Sequence, residues 1–143
     1  MAHVLVADDS PTIRHLLCPI LRNASHIVSE ATNGEEALAV LHGSPSPMVV
    51  FLDVVMPKLG GIGVLHEMED SPALRGRHAF ILMTATPEAI PPKAIAELLV
   101  RFSIPLVIKP LSSSHLLLLV DQAAGRLHND RGTDKELNKR DTL

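Results

Sequence analysis

Short apolar runs recur along the chain and are separated by stretches with the spacing of helices. The runs are Val4–Ala7, Ile27–Ala31, Met48–Leu52, Ala79–Met83 and Pro105–Ile108. Three of them are near-continuous series rich in Val, Ile or Leu, a pattern typical of strands that are buried on both faces of a parallel sheet. The apolar pattern therefore predicts five strands joined by helices.

Polar and proline residues mark the starts of the predicted helices. Ser10 is a good N-cap, and Pro11 is a good first helical residue. Asn33, followed by Glu36 at the capping-box position, predicts the start of a second helix. Apolar spacing and serine caps predict three further helices over residues 62–68, 94–102 and 112–127.

Strands that alternate with helices of this length imply right-handed crossovers and a doubly wound sheet. We expect an α/β flavodoxin-like fold with five parallel strands in the order 2-1-3-4-5 and five helices. One domain is expected over residues 1–127. Residues 128–143 hold eight charged residues and are expected to form a polar C-terminal tail, an extension of the last helix or a linker.

Composition narrows the class of protein. The chain has 143 residues, of which 46% are hydrophobic and 20% charged, so a single globular domain with a real core is expected. A net charge of −3 and the lack of Trp and Tyr argue against a nucleic-acid partner. Apolar runs such as Leu116–Val120 are too short to span a membrane. No signal peptide is evident, and the single cysteine suits a cytoplasmic protein.

Polar groups follow four of the predicted strands. In open α/β sheets ligands bind beyond the carboxyl ends of the strands, so these groups are expected to converge on one edge. The groups are Asp8 and Asp9 after strand 1, Asp53 after strand 3, Thr84 and Ala85 after strand 4, and Lys109 after strand 5.

This set of groups suits phosphoryl transfer to a carboxylate. Clustered carboxylates repel one another unless a cation joins them, and Mg²⁺ prefers oxygen ligands. A carboxylate can attack a phosphoryl donor and form an acyl phosphate. The charge on the phosphoryl oxygens would be met by Mg²⁺, by Lys109, and by the Thr84 hydroxyl with the Ala85 backbone N–H.

Each residue alone has a simpler explanation. Asp8 and Asp9 could favour the positive end of the first helix, and Asp53 could be a turn residue. Thr84 could be an ordinary strand residue, and Lys109 a solvated side chain. These explanations do not account for complementary groups at all four strand ends, which favours a functional site.

The chain resembles the receiver domains of two-component response regulators, especially stand-alone receivers of the chemotaxis type. The resemblance covers about residues 3–127. It rests on four segments: Val4-Leu5-Val6-Ala7-Asp8-Asp9-Ser10, Phe51-Leu52-Asp53-Val54-Val55-Met56-Pro57 with Gly61, Met83-Thr84-Ala85, and Ile108-Lys109-Pro110.

The resemblance implies a role for each residue of the site. Asp53 would be the phosphorylation site, and Asp8 and Asp9 would bind Mg²⁺ together with Asp53 and the backbone carbonyl of Val55. Thr84 and Lys109 would contact the phosphoryl group. The donor would be a histidine kinase or a phosphotransfer protein, and a downstream protein of unknown identity would read the phosphorylated state. Beyond its own phosphorylation and dephosphorylation, no enzymatic activity is expected.

The sequence departs from the family pattern at the switch position. Most such domains carry Tyr or Phe three residues before the lysine, and here that residue is Leu106. The face formed by helix 4, strand 5 and helix 5 is expected to carry output or a homodimer contact, and the apolar start of helix 5 is another candidate partner surface. Val55 and Thr86 are expected to tune the lifetime of the aspartyl phosphate.

Two other functions fit the same residues. A degenerate receiver would act as a binding module that needs no phosphorylation, and Leu106 motivates this alternative. A phosphatase or phosphotransferase with an aspartate nucleophile is the other, but such enzymes usually need a carboxylate at the position that Val55 occupies here.

Overall fold

The computed structural model describes residues 1–74, 76–101 and 103–141, and the side chains of these residues except 98, 99 and 128–141. Five parallel strands form one sheet in the order β2-β1-β3-β4-β5. The strands are β1 (His3–Ala7), β2 (Ile27–Ala31), β3 (Val49–Asp53), β4 (Ala79–Thr84) and β5 (Leu106–Ile108). The predicted topology is confirmed, with strand ends that differ from the predictions by one residue at most.

Five α-helices connect and cover the strands: α1 (Pro11–Asn23), α2 (Gly34–Gly43), α3 (Gly61–Glu69), α4 (Pro92–Ala96) and α5 (Ser113–Asp141). The fourth helix differs from its prediction. It begins at Pro92, since proline is favoured at the first helical position, and after Ala96 it continues as a π-helical turn over Glu97–Arg101. The predicted end at Phe102 lies outside the described residues. α5 continues past its predicted end near Leu127.

The predicted caps of the first two helices form. The Ser10 side chain accepts a hydrogen bond from the Ile13 backbone N–H at 3.3 Å. The Asn33 side chain accepts one from the Glu36 N–H at 2.9 Å, and the Glu36 carboxylate accepts one from the Thr32 N–H at 3.1 Å. These bonds satisfy N–H groups that have no partner inside the helix, and so they stabilise both helix starts at the carboxyl edge of the sheet.

The core lies on both faces of the sheet. One apolar cluster packs α1 and α5 against the sheet through residues such as Leu17, Phe51 and Val120. The other packs α2 and α3 through residues such as Leu41, Leu52 and Val64. The five residues of β3 are buried, as expected for the central strand of a sheet that is covered on both sides.

The apolar start of α5 is mainly core. Leu116 and Leu119 are buried, whereas Leu118 is exposed. One face of the helix therefore packs on the sheet, which explains most of its hydrophobicity without a partner. Among the described residues, no helix combines the length and apolar character that a membrane span needs.

Candidate functional site

Three carboxylates meet at the carboxyl ends of β1 and β3. Oxygen atoms of Asp8, Asp9 and Asp53 lie within 4.8 Å of one another. The register that pairs Ala7 with Leu52 brings Asp8 and Asp53 to adjacent positions on neighbouring strands. Asp8 is 0% exposed and Asp53 is 6% exposed, whereas Asp9 is open to solvent. Buried carboxylates require charge partners, because burying an unpaired charge is costly.

Lys109 supplies that partner from the end of β5. Its Nζ lies 2.6 Å from Asp8 Oδ2 and 3.1 Å from Asp53 Oδ2. The Lys109 backbone N–H donates to the Thr84 carbonyl at 2.9 Å, and the peptide bond to Pro110 is cis. The ammonium therefore joins both buried carboxylates through charge-assisted hydrogen bonds.

Backbone groups hold the other oxygen of each carboxylate. The Ser10 N–H donates to Asp8 Oδ1 at 2.9 Å, and the Val55 N–H donates to Asp53 Oδ1 at 3.3 Å. Each buried carboxylate thus has a cation on one oxygen and an N–H on the other. This arrangement restricts the rotation of both side chains.

Burial makes the Asp53 carboxyl group a weaker acid than usual. The pKa of Asp53 is raised from 3.8 to about 6, mainly by desolvation and also by the charge of Asp8, while Lys109 opposes the rise. Burial alone would lower the pKa of Lys109, but hydrogen bonds and charge from Asp8 and Asp53 outweigh it and raise that pKa. The ammonium is therefore protonated at neutral pH, while negative charge on Asp53 comes at a free-energy cost that an added cation would relieve.

Thr84 and Ala85 lie at the end of β4, beside Asp53. The Thr84 side chain is buried, and its Oγ1 accepts a hydrogen bond from the Thr86 N–H at 3.1 Å. Ala85 and Thr86 are exposed. Because Oγ1 accepts from Thr86, its own proton stays available to a group at the strand edge.

Val55, expected to tune the lifetime of the aspartyl phosphate, and Leu106, at the switch position, occupy different environments. The Val55 side chain is 63% exposed at the carboxyl edge. Leu106 is half-buried in β5, where it pairs in register with Leu82 and packs against the cluster beneath α2 and α3. The Leu106 side chain thus packs on the sheet, and it has no polar group that could exchange one hydrogen-bond partner for another.

Close backbone approach explains the glycine that starts α3. A Cβ on Gly61 would lie 2.6 Å from the carbonyl oxygen of Asp53, which is closer than real contacts allow. The Gly61 N–H also donates to the Val54 carbonyl at 3.0 Å. The β3–α3 loop therefore folds directly against the strand end that carries Asp53, and a larger residue would push it away.

The donor set fits a hard divalent cation. The three clustered carboxylates offer oxygen ligands only, and the Val55 carbonyl belongs to the loop whose N–H contacts Asp53. Mg²⁺ is bound through such oxygens with several waters retained. The residues at this edge are therefore suited to holding Mg²⁺.

Inspection of the sequence missed one residue near this site. The Arg14 guanidinium donates through Nη1 to the Asp8 backbone carbonyl at 2.6 Å. The available signal was a charged residue one turn into α1, on a helix whose spacing is otherwise apolar. That signal gives no direction for the side chain, so it could not identify the contact.

A family model for the response regulator receiver domain matches residues 4–121. The chain belongs to this family. The match contains all the strand-end residues described above, so the carboxylates, the threonine and the lysine lie within the receiver domain. Members of the family act in two-component signalling, with histidine kinases and downstream effectors as partners, and are in general not catalytic enzymes.

Individual relatives agree with this assignment. The receiver is 31% identical over 136 residues to an uncharacterized response regulatory protein of Vibrio cholerae, covering 93% of this chain and 49% of that protein. It is 45% identical over 65 residues to a probable transcriptional regulator, ycf27, of Guillardia theta, covering 46% of this chain and 25% of that protein. The chain thus spans half or less of the length of these two relatives.

The same fold occurs in a receiver domain protein (CheY-like) from Methanospirillum hungatei. The two chains superpose with a TM-score of 0.76 at 24% identity, over 89% of this chain and 97% of that one. At this identity the similarity establishes the fold. It agrees with the flavodoxin-like topology that the apolar runs predict.

Proposed function

We propose that this receiver accepts a phosphoryl group on Asp53, in a Mg²⁺-dependent reaction, from a histidine kinase or a phosphotransfer protein. The observation that carries the proposal is the pair of buried carboxylates, Asp8 and Asp53, joined by Lys109 at the carboxyl edge of the sheet. With Asp9 beside them, three carboxylates share one ammonium, and the negative charge that remains suits a divalent cation of the kind that phosphoryl transfer requires.

Asp53 is the nucleophile in this proposal. Its carboxylate oxygen forms a bond to phosphorus while the bond from phosphorus to the donor histidine nitrogen breaks, and the imidazole leaves with the electron pair and takes up a proton. The attacking form is the carboxylate, which predominates above the Asp53 pKa of about 6. Hydrogen bonds from Val55 and Lys109 hold its two oxygens.

The remaining groups meet the charge on the phosphoryl oxygens. Lys109 is already within hydrogen-bonding distance of Asp53, and we assign it to one oxygen. The Thr84 hydroxyl proton and the Ala85 backbone N–H are assigned to a second. Mg²⁺ held by Asp8, Asp9, Asp53 and the Val55 carbonyl would neutralise charge on the third.

Phosphorylation would then shift an existing equilibrium between two conformations, and the altered surface would bind a downstream protein in the cytoplasm. The output face is proposed to comprise α4, β5 and α5, and the same face is the candidate for a homodimer. Because Leu106 stands where most receivers have Tyr or Phe, the signal would pass to the output face without the rotation of an aromatic side chain. Val55 and Thr86 are proposed to set the lifetime of the phosphorylated state.

Intact-mass spectrometry tests the reaction directly. Incubation with a small phosphoryl donor and Mg²⁺ should add one phosphoryl mass to the wild-type chain, and chelation of Mg²⁺ should prevent it. Asp53→Asn should abolish the adduct because an amide is a poor nucleophile. Asp70→Asn, at the end of α3, is the matched control and should label like the wild type. Absence of an adduct on the wild type would refute the proposal.

A second candidate function is a degenerate receiver that binds its partner without phosphorylation, and Leu106 at the switch position favours it. Isothermal titration separates the two functions. A phosphoryl-accepting receiver should bind Mg²⁺ and then a phosphoryl mimic such as beryllofluoride. A titration without heat for either ligand, in a folded protein, would support the binding module.

A further inference from the structure

The Arg14 side chain connects two strands at the carboxyl edge. Its Nη1 donates to the Asp8 backbone carbonyl at 2.6 Å, and its Nε lies 3.4 Å from Oε1 of Glu30 in β2. The Arg14 side chain is only 14% exposed, whereas the Glu30 side chain is 35% exposed, so the contact with Asp8 is the more sheltered of the two. A planar guanidinium can hold two acceptors in a fixed relative orientation, which a flexible cation cannot do.

Glu30 is itself held in place. It belongs to β2 and pairs in register with Val6 of β1. Its second oxygen lies 3.3 Å from Nη2 of Arg22, a contact in which the Arg22 side chain is 49% exposed. Glu30 therefore anchors Arg14 to the sheet, while Arg22 contacts Glu30 from the solvent side.

The carbonyl that Arg14 contacts lies between the two consecutive aspartates of the site. It belongs to the peptide unit that joins Asp8 to Asp9, and the two oxygens of the Asp8 carboxylate are held by Ser10 and Lys109. Because a peptide unit is planar, orienting this carbonyl also orients the bond that leads to the Asp9 Cα. Asp9 is exposed, and among the residues that the structure describes no hydrogen bond or ion pair fixes the direction of its side chain.

We propose that Arg14 is a positioning residue for the cation site, which orients the Asp8–Asp9 peptide so that both carboxylates converge on one ion. This inference rests on the Mg²⁺ site of the proposed function. Groups that orient metal ligands typically change metal affinity by about 10- to 100-fold when they are removed.

Charge alone predicts the opposite effect. The guanidinium is a cation close to the carboxylates, so its removal should strengthen the attraction of Mg²⁺ if Arg14 acts only through its charge. The sign of the change in Mg²⁺ affinity therefore separates orientation from simple electrostatics.

Isothermal titration with Mg²⁺ alone provides the test. Arg14→Met removes the donors but keeps much of the side-chain volume, and the dissociation constant for Mg²⁺ should rise about tenfold. Glu30→Gln should raise it less, because Arg14 can still donate to Asp8. Arg126→Gln removes an exposed cation beside Ala79, at the opposite edge of the sheet, and is the control that should leave it unchanged. Arg14→Lys can still donate to the Asp8 carbonyl but cannot hold Asp8 and Glu30 in one fixed orientation, and it should fall between Arg14→Met and the wild type.

Two further measurements exclude a merely structural effect. Urea unfolding in EDTA measures the stability of each variant. The Mg²⁺ titrations are then run under conditions in which all variants are folded. A loss of stability therefore does not by itself change the Mg²⁺ dissociation constant. Phosphoryl labelling of Arg14→Met should recover at about tenfold higher Mg²⁺. An unchanged or tighter constant in Arg14→Met, with normal wild-type binding, would overturn the role of Arg14 alone. A wild-type chain that binds no Mg²⁺ would overturn the metal site as well.

Discussion

The buried imidazole of His78 should make the stability of the fold depend on pH. His78 directly precedes β4 and is 7% exposed, and its Nδ1 accepts a hydrogen bond from the Met48 backbone N–H at 3.0 Å. The backbone of Leu41 partly offsets the effect of this burial on the ring. Desolvation, with a smaller contribution from the charge of Arg77, lowers the pKa of His78 from 6.5 to about 4.

The sign and size of the effect follow from these two values. The native pKa lies below the unfolded one, so between pH 6.5 and about pH 4 the unfolded chain takes up a proton that the native chain does not. Each pH unit in this window lowers the free energy of unfolding by about 1.4 kcal/mol, which gives a loss of about 3 kcal/mol in total. Above pH 6.5 the contribution should be constant.

Urea unfolding followed by far-ultraviolet circular dichroism is the suitable assay, because the chain has no Trp or Tyr for fluorescence. His78→Asn places an amide oxygen near the position of Nδ1, so the bond from Met48 can persist without a titrating group. As the pH falls from 7 to 4, the free energy of unfolding of the wild type should fall by about 3 kcal/mol relative to that of His78→Asn. Titration of Asp53 occurs in both proteins and cancels.

A matched control comes from the exposed face of α5. His115→Asn removes an imidazole that lies in solvent, and this variant should follow the pH profile of the wild type. Parallel stability profiles for the wild type and His78→Asn between pH 7 and pH 4 would show that His78 is not buried in its neutral form, and the reasoning from its burial would be wrong.

Three further predictions concern the site and the core. Gly61→Ala should lower the free energy of unfolding by about 1–3 kcal/mol in urea titrations, since its Cβ would lie 2.6 Å from the Asp53 carbonyl, whereas Gly125→Ala, with nothing within 4 Å, should not destabilise. Leu82→Ala should cost about 3–5 kcal/mol in the same assay, because Leu82 is fully buried between the sheet and its covering helices. Phosphoryl labelling should fall at acidic pH as Asp53 becomes protonated, with a midpoint below about 6 because Mg²⁺ favours the carboxylate. In Lys109→Met this midpoint should move to higher pH, because Lys109 lowers the Asp53 pKa. A midpoint that does not move would contradict the assigned role of Lys109.

Local sequence patterns were enough to predict most of the architecture. Strand burial on both faces produces continuous apolar runs, and helix caps require particular side chains at the first turn. Both signals are short-range, so they could be recognised without knowing the fold. They predicted the sheet order and the caps at Ser10 and Asn33, which the structure confirms. The fourth helix was predicted less well, because prolines shift its start and a π-helical turn follows it.

The sequence by itself also determined which groups stand at the carboxyl edge, since parallel strands bring their ends to one side of the sheet. Only the tertiary structure decided how those groups face one another. The contact of Lys109 with Asp8, the bond from Arg14 to the Asp8 carbonyl and the burial of His78 depend on side-chain directions set by packing between distant segments. No periodic pattern encodes those directions, because residues 101 positions apart, as Lys109 and Asp8 are, meet only when the whole sheet has formed.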